Sequence, residues 1–252
     1  MRGLEGKNII VTGGGSDIGR AICHRLAEAG VKVGILDLNP EGADDTVKAI
    51  TGKGGTATAY TADVGDYDAC KRAVAEFEGG VGPTDALVNN AGWDLAMPFL
   101  QSEPELWQKL VAINFYGPIN MCHVVLPGMV ERGGGRIVSL SSDAGRVGSS
   151  GESVYSGCKG GVIAFSKTLA REHARHKINV NVLCPGPTDT PLFQHAMEGN
   201  PKLGDALIRA IPMRRLAAPE DHAGMAAFLC SDEAGFITGQ VISVSGGLTM
   251  HG

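Results

Sequence analysis

Asn8-Ile9-Ile10-Val11-Thr12-Gly13-Gly14-Gly15-Ser16-Asp17-Ile18-Gly19 is the stretch that decides the fold. It opens with a strand-like run at 8–11, passes through three consecutive glycines, and enters a helical pattern. In that pattern Ile18, Ile22, Leu26 and Ala29 form an apolar stripe closed by Gly30, a residue suited to a helix C-cap. Strand, glycine-rich turn and helix, in that order, is the context in which such a turn binds a dinucleotide. Glycines let the backbone come close to a pyrophosphate. The helix start adds free N–H groups and the positive end of a dipole. A glycine-rich turn alone also serves plain bends, so the rest of the chain has to agree with the reading.

It does agree. Strand-like runs recur at 32–36, 56–61, 86–89, 136–140, 179–184 and 240–244, with helical patterns between them. Several runs are apolar nearly throughout, as strands buried on both faces are. Alternating strands and helices imply right-handed crossovers and one doubly wound parallel sheet. The expected class is α/β: a Rossmann-type sheet of seven strands between two helical layers. No repeat, low-complexity tract or linker divides the chain, so residues 1–252 are expected to form a single domain. The stretch 190–211 fits least well. It is polar, holds Pro191 and Pro201 with Pro212 just beyond, and is expected to be a loop-rich, mobile excursion.

Composition removes several function classes. Apolar residues make up 43% and charged residues 19%, a globular balance rather than a disordered one. A net charge of −5 with no Lys/Arg run is a poor match to nucleic acid. The six cysteines (Cys23, Cys70, Cys122, Cys158, Cys184 and Cys230) form no CxxC pair and read as free thiols of a reducing compartment. His173 and His176 lie three apart on a helix, but with no third ligand they read as a solvated face, and no metal is expected. No apolar run approaches membrane-span length, and the first strand leaves no room for a signal peptide. A cytoplasmic protein is expected.

Two further features point to chemistry. The second strand ends at Asp37, 25 residues after Thr12. A carboxylate there can accept both ribose hydroxyls of NAD and would repel the extra phosphate of NADP. Tyr155 and Lys159, four apart, share one face of a helix. A lone YxxxK means little, but Leu140-Ser141-Ser142 stands at a strand end 13 residues before Tyr155. That strand delivers Ser142 to the carboxyl edge of the sheet, where ligands bind in such folds. A phenol is a weak acid, with a reference pKa of about 10. A neighbouring ammonium and an oxidised nicotinamide would stabilise the phenolate and bring it toward working pH. Hydride transfer needs such a base, because the alcohol loses a proton as the hydride leaves.

With those residues in place, the chain resembles the short-chain dehydrogenase/reductase family over essentially its whole length. The Thr12–Gly19 turn, Asp63-Val64, Asn89-Asn90-Ala91-Gly92, Asn114, Ser142, Tyr155, Lys159 and Pro185-Gly186 carry the resemblance by their order and spacing. It implies Tyr155 as acid/base, Ser142 orienting the substrate oxygen, and Lys159 binding the nicotinamide ribose while lowering the phenol pKa. Asn114 would hold a water in a proton relay. Gly13, Gly15, Ser16, Asp17, Ile18 and Gly19 would cradle NAD, with Asp37 and Leu38 at its ribose. Asp63 and Val64 would meet adenine, and Asn90, Ala91 and Gly92 the adenosine ribose side. Pro185, Gly186 and the Thr188 backbone would meet the nicotinamide, with Thr190 nearby. Two departures stand out: Asp17 where similar proteins usually have glycine, and Thr188 where they often have a larger aliphatic residue. The Asp17 side chain is expected to turn away from the pyrophosphate. The resemblance also implies a homotetramer, with helices at 105–132 and 153–176 pairing across subunits and 239–250 at a further contact.

The substrate is the least legible part. Trp93, Asp94, Arg146, Ser149, Glu152 and the 190–211 excursion are substrate-facing candidates, and Phe193, His195 and Met197 would line a lid. The runs 142–152 and 185–191 are similar to those of 2-hydroxycyclohexanecarboxyl-CoA dehydrogenases. Arg146, Arg214 and Arg215 are candidates for a CoA phosphate, although ordinary ion pairs explain single surface arginines more often. Two other classes compete: a 3-oxoacyl-carrier-protein reductase using NADPH, and a subunit of this fold without catalysis.

Overall fold

A computed structural model describes residues 1–198 and 201–250, leaving out the side chains at 192, 195, 196, 198 and 201–203. Seven strands form one sheet: β1 (Asn8–Thr12), β2 (Lys32–Asp37), β3 (Thr56–Thr61), β4 (Ala86–Asn89), β5 (Gly135–Leu140), β6 (Ile178–Pro185) and β7 (Val241–Val244). All pairs are parallel and the order is β3-β2-β1-β4-β5-β6-β7. Each strand lies within one residue of its expected limits at either end. The order reverses between β1 and β4, which places the ligand crevice beyond the carboxyl ends of those two strands.

β1 shows why the sheet needs a helical layer on each side. All five of its residues are buried. Their side chains alternate between faces with period two. Ile9 and Val11 join the core of one face with Ile22 and Leu26 of α1 (Asp17–Ala27) and Ala226 of α10 (Pro219–Cys230). Ile10 joins the opposite core with Phe77 of α3 (Tyr67–Gly80) and with Met121 and Val125 of α5 (Gly117–Arg132). α2 (Pro40–Thr51) follows β2. α4 (Pro104–Val111) precedes α5, and α6 (Ala144–Val147) and α7 (Ser153–His173) follow β5.

Three features differ from the sequence reading. The helix expected at 105–132 is interrupted by a π-helical turn at Ala112–Tyr116. Its apolar content is also higher than expected: Pro104–Arg132 contains an 18-residue window of mean hydropathy 1.3, enough by length and composition to cross a membrane. In the fold that apolar content covers the sheet, with Met121, Cys122, Val125 and Met129 all buried. The third difference is the excursion at 190–211. It is not loop-rich but holds two helices, α8 (Pro191–Glu198) and α9 (Pro201–Ala210). Pro191 and Pro201, read as loop residues, instead open helices. Proline is favoured at a first helical position, where its missing N–H is not needed.

Candidate active site

The glycine-rich turn is fixed from the neighbouring strand. Thr12 Oγ1 accepts hydrogen bonds from the Asn90 and Ala91 amides, both at 3.0 Å. Asn90 Nδ2 donates to the carbonyls of Thr12 at 3.1 Å and Gly13 at 3.0 Å. The Asn90 side chain therefore ties β4 to the turn. Gly13 has φ 66°, and a Cβ there would lie 2.9 Å from Ala91 Cα. Ser16 is the N-cap of α1, yet its hydroxyl makes no cap hydrogen bond. Among the described residues, no side chain caps the leading N–H groups of that helix. Asp17, the departure seen in sequence, has φ 47°. Glycine adopts this left-handed conformation freely, and aspartate is among the side chains that tolerate it. No protein hydrogen bond fixes the direction of its carboxylate among the described residues.

Asp37, the last residue of β2, reaches across to the same turn. Its Oδ2 accepts from Gly15 N at 2.8 Å and its Oδ1 from Asn39 N at 2.9 Å. Both bonds hold the carboxylate at the edge of the crevice. Arg20 braces the far side, donating to Thr46 Oγ1 at 3.1 Å and to the Gly15 carbonyl. Ile18 is half-buried at the head of α1. Leu38 is exposed, as is Asp63, whose Oδ1 accepts from Gly65 N at 2.8 Å. Val64 is buried, and a Cβ on Gly117 would come within 2.8 Å of it. This edge suits a dinucleotide: glycine backbone without side chains, uncapped helix N–H groups, and a fixed carboxylate at the ribose end.

The second half of the site assembles at the end of β5. Ser141 Oγ donates to the Lys159 carbonyl at 2.8 Å, which docks the strand end on α7. Ser142 Oγ accepts from Ala144 N at 3.1 Å. Tyr155 and Lys159 share one face of α7, as their spacing predicts, with Lys159 Nζ 5.5 Å from the Tyr155 ring centroid. Nζ is buried and donates to the Leu140 carbonyl at 3.0 Å. Asn114 lies in the π-helical turn, a feature often found at functional positions. Its Nδ2 donates to the carbonyls of Trp93 at 2.7 Å and Leu110 at 3.0 Å, and its Oδ1 accepts from Trp93 N at 3.2 Å. A Cβ on Gly92 would lie 3.1 Å from Asn114 Oδ1 and 3.2 Å from Lys159 Nζ. Gly92, Asn114 and Lys159 therefore converge on one spot.

The electrostatics differ from expectation in one respect. Removal from water pushes the Tyr155 phenol above its ordinary value. The Asp94 and Glu152 carboxylates push it further, and the Ser142 hydroxyl opposes them. Burial likewise lowers the Lys159 ammonium to about 8. The causes acting on the phenol do not include Lys159, whose Nζ donates instead to the Leu140 carbonyl. Asp94 itself is raised to about 6 by burial and the neighbouring Glu152 carboxyl. Asp94 and Glu152 line a pocket with Leu95, Met97, Trp107 and Tyr155. Sequence reasoning named both acids as substrate-facing but missed their action on Tyr155, because spacing along the chain carries no sign of it. Trp93 is covered by Lys109, whose Nζ is 3.8 Å from the ring centroid.

The far edge of the crevice is the loop after β6. Gly186 N donates to Val244 O at 3.0 Å, and a Cβ on Gly186 would strike Ser245 Cβ at 2.7 Å. Thr188 is buried, and Thr190 Oγ1 accepts from Phe193 N at 3.2 Å, capping α8. The His195 side chain lies outside the described residues. The three arginines considered for CoA all have protein partners. Arg146 donates to Val241 O at 3.2 Å and Ser243 Oγ at 3.0 Å, Arg214 donates to Arg209 O, and Arg215 forms a bidentate pair with Asp221. The six cysteines are buried and unpaired, and burial pushes the Cys122 thiol up to about 12.

Comparison with known proteins identifies the family. The family described as "Enoyl-(Acyl carrier protein) reductase" matches residues 13–249. An acetoacetyl-CoA reductase of Rhizobium meliloti is 42% identical over 94% of this chain and 96% of its own length. A 3-oxoacyl-(acyl-carrier-protein) reductase of Thermotoga maritima is 36% identical over 98% and 99%. A (3R)-3-hydroxyacyl-CoA dehydrogenase of Rattus norvegicus is 37% identical over 96% and 95%. A crystal structure described as a short-chain alcohol dehydrogenase, from Sinorhizobium meliloti, superposes with a TM-score of 0.93 at 34% identity, over 98% of this chain and 97% of that one. The chain belongs to the short-chain dehydrogenase/reductase family of oxidoreductases.

Proposed function

We propose that the protein interconverts a secondary alcohol and its ketone on an acyl thioester, with NAD as the hydride carrier. The observation that carries this reading is the convergence of Ser142, Tyr155, Lys159 and Asn114 beside the turn that Asp37 holds. Bound at Gly13–Gly19, Asp37, Asp63–Val64, Asn90–Gly92 and Pro185–Thr190, NAD would supply the hydride acceptor. Ser142 Oγ orients the substrate oxygen. Tyr155 Oη removes the alcohol proton in oxidation and returns it in reduction. The Lys159 ammonium, joined by the nicotinamide charge when NAD is bound, would favour the phenolate and offset the upward push of burial. Asn114, fixed by Trp93 and Leu110, faces the same spot at Gly92 as Lys159 Nζ and would hold a water through which a proton passes outward.

Asp94 tunes this base. Above about pH 6 it is ionised and opposes the phenolate. Asp94→Asn is therefore expected to shift the rising limb of the alcohol-oxidation pH profile to lower pH. An unmoved limb in initial-rate measurements would remove Asp94 from this role.

The thioester rests on the relatives' substrates as their names give them. Among thioesters, 2-hydroxycyclohexanecarboxyl-CoA is the first to test, on the runs 142–152 and 185–191. The 3-oxoacyl-thioester reductase reading shares the same chemistry in reverse and differs mainly in its cofactor. Asp37 favours NAD, because a fixed carboxylate facing the NADP phosphate costs affinity by like-charge repulsion. NADH formation from hydroxyacyl-CoA thioesters is expected, with NAD preferred at least about tenfold in kcat/KM, a gap of about 1.4 kcal/mol. Equal use of NADP, or turnover of simple alcohols but no thioester, would overturn the corresponding part.

We further propose that residues 1–252 act as one cytoplasmic domain with α8 and α9 as a lid at 190–211, assembled as a homotetramer. Exposed Tyr116, Phe236 and Met250, on or beside the helices and C-terminal run assigned to contacts, supply apolar surface for the assembly. A monomeric mass by light scattering at micromolar concentration would count against the tetramer. Hydrogen exchange across 190–211 that is unchanged by NAD and substrate would count against the lid.

A further inference from the structure

His222 of α10 is fully buried and plays no part in the chemistry described above. Its Nε2 lies 2.9 Å from Thr188 Oγ1, and that same hydroxyl lies 2.8 Å from the Gly186 carbonyl. The roles in this chain of bonds are fixed by chemistry. A carbonyl oxygen only accepts, so the Thr188 hydroxyl donates its one proton to Gly186 O. Nε2 therefore carries the imidazole proton and donates to Thr188 Oγ1. Nδ1, buried and without a partner among the described residues, is then an unprotonated acceptor. A neutral ring suits the site: burial lowers His222 to about 4 against the opposing charges of Asp221 and Asp143.

The backbone around Thr188 is also held by main-chain bonds. Thr188 bridges Ala217, Asp189 N donates to Ala217 O at 2.8 Å, and Ala217 N donates to Pro187 O at 3.0 Å. His222 adds a side-chain bond to the Thr188 hydroxyl. Burying an imidazole costs free energy that an aliphatic pair would avoid, so the polar pair adds directional geometry rather than packing.

We propose that His222 is a positioning residue for the nicotinamide side of the crevice, acting through Thr188 to set the Gly186–Thr188 backbone. The inference rests on the reading of that loop as part of the NAD site. It also accounts for Thr188, which sequence comparison marked as a departure: its hydroxyl is the link between the α10 imidazole and the loop carbonyl.

The test uses the intact protein and NADH as probe. Affinity is read by NADH fluorescence, and KM and kcat by initial rates. His222→Leu and Thr188→Val are each expected to weaken NADH binding about five- to tenfold, as loss of one hydrogen bond does. The loss should fall on Kd and KM more than on kcat. The double variant should be no weaker than either single one, since both break the same chain. His222→Gln, whose carboxamide N–H can donate to Thr188 Oγ1, should recover most of the affinity. Additive losses, or wild-type NADH affinity in Thr188→Val, would overturn the proposal even if His222→Leu fails to fold. Wild-type protein that binds no NADH would overturn the cofactor reading along with it, whereas tight wild-type binding unaffected by the variants would overturn this inference alone.

Discussion

Tyr155→Phe is expected to lose turnover by about a thousandfold or more, the upper range for removing a positioned acid/base, while NADH still binds. The substitution deletes only the phenolic oxygen. The ring stays on α7, where Lys159 Nζ lies 5.5 Å from its centroid. Lys159 keeps its bond to Leu140 O and Ser141 its bond to the Lys159 carbonyl. The glycine-rich turn and Asp37 are untouched, so the cofactor edge should be intact. What is lost is the phenolic oxygen that Ser142 accompanies. Its environment explains why nothing replaces it: Asp94 and Glu152 line the same pocket, but as acids that oppose the phenolate rather than as bases poised over the reacting oxygen. Initial rates under saturating substrate and an NADH titration on the same preparation decide the matter. Turnover within about tenfold of wild type would reject Tyr155 as the proton acceptor; loss of NADH binding in step with turnover would instead point to a structural role.

The fold was legible because its signals are local. The seven strand limits followed from short apolar and β-branched runs, and the parallel direction of the strands from the helices lying between them. The Tyr155–Lys159 face followed from a spacing of four on a helix. What was not legible depends on contacts that spacing does not encode. The π-helical turn at Ala112–Tyr116 lies inside a sequence with ordinary helical periodicity, and only the placement of Asn114 against Trp93 and Leu110 marks it. The excursion at 190–211 was misread because its prolines were taken as breakers, whereas Pro191 and Pro201 are first residues of helices. Thr188 stood out in the sequence only as a departure from a larger aliphatic residue; its contact with His222, 34 positions away, is not encoded in spacing. The upward push on Tyr155 was missed for the same reason, since desolvation is a property of the assembled pocket. Asp17 is an intermediate case. Sequence flagged it as a departure from glycine, and the structure supplies the reason glycine is suited there, a φ of 47°.

Two glycine-to-alanine substitutions on helices should behave in opposite ways. In an exposed helix interior, alanine is favoured over glycine by about 0.5–1 kcal/mol, because glycine loses more backbone freedom on folding. Gly79 of α3 has open space around it: a Cβ there meets no atom within 4 Å. Gly79→Ala should therefore be neutral or mildly stabilising and leave NADH affinity unchanged. Gly19 of α1 is the contrary case. A Cβ there would lie 2.0 Å from Gly13 O and 2.4 Å from Asn90 Nδ2. Neither neighbour can yield cheaply. Gly13 O is backbone of the turn, and Asn90 Nδ2 is the donor that binds Gly13 O and Thr12 O. Relief requires α1 to move off the sheet or the turn to open. Either shift displaces the leading N–H groups of α1 from the place where the turn presents them. Overpacking of this kind costs on the order of 1–3 kcal/mol or more, which outweighs the helix-propensity gain. Gly19→Ala should thus lower the denaturant midpoint and weaken NADH binding by at least about tenfold, both in the same protein. Equal midpoints for the Gly19 and Gly79 variants, with NADH affinity retained in both, would show that the contact between α1 and the turn does not constrain the cofactor edge.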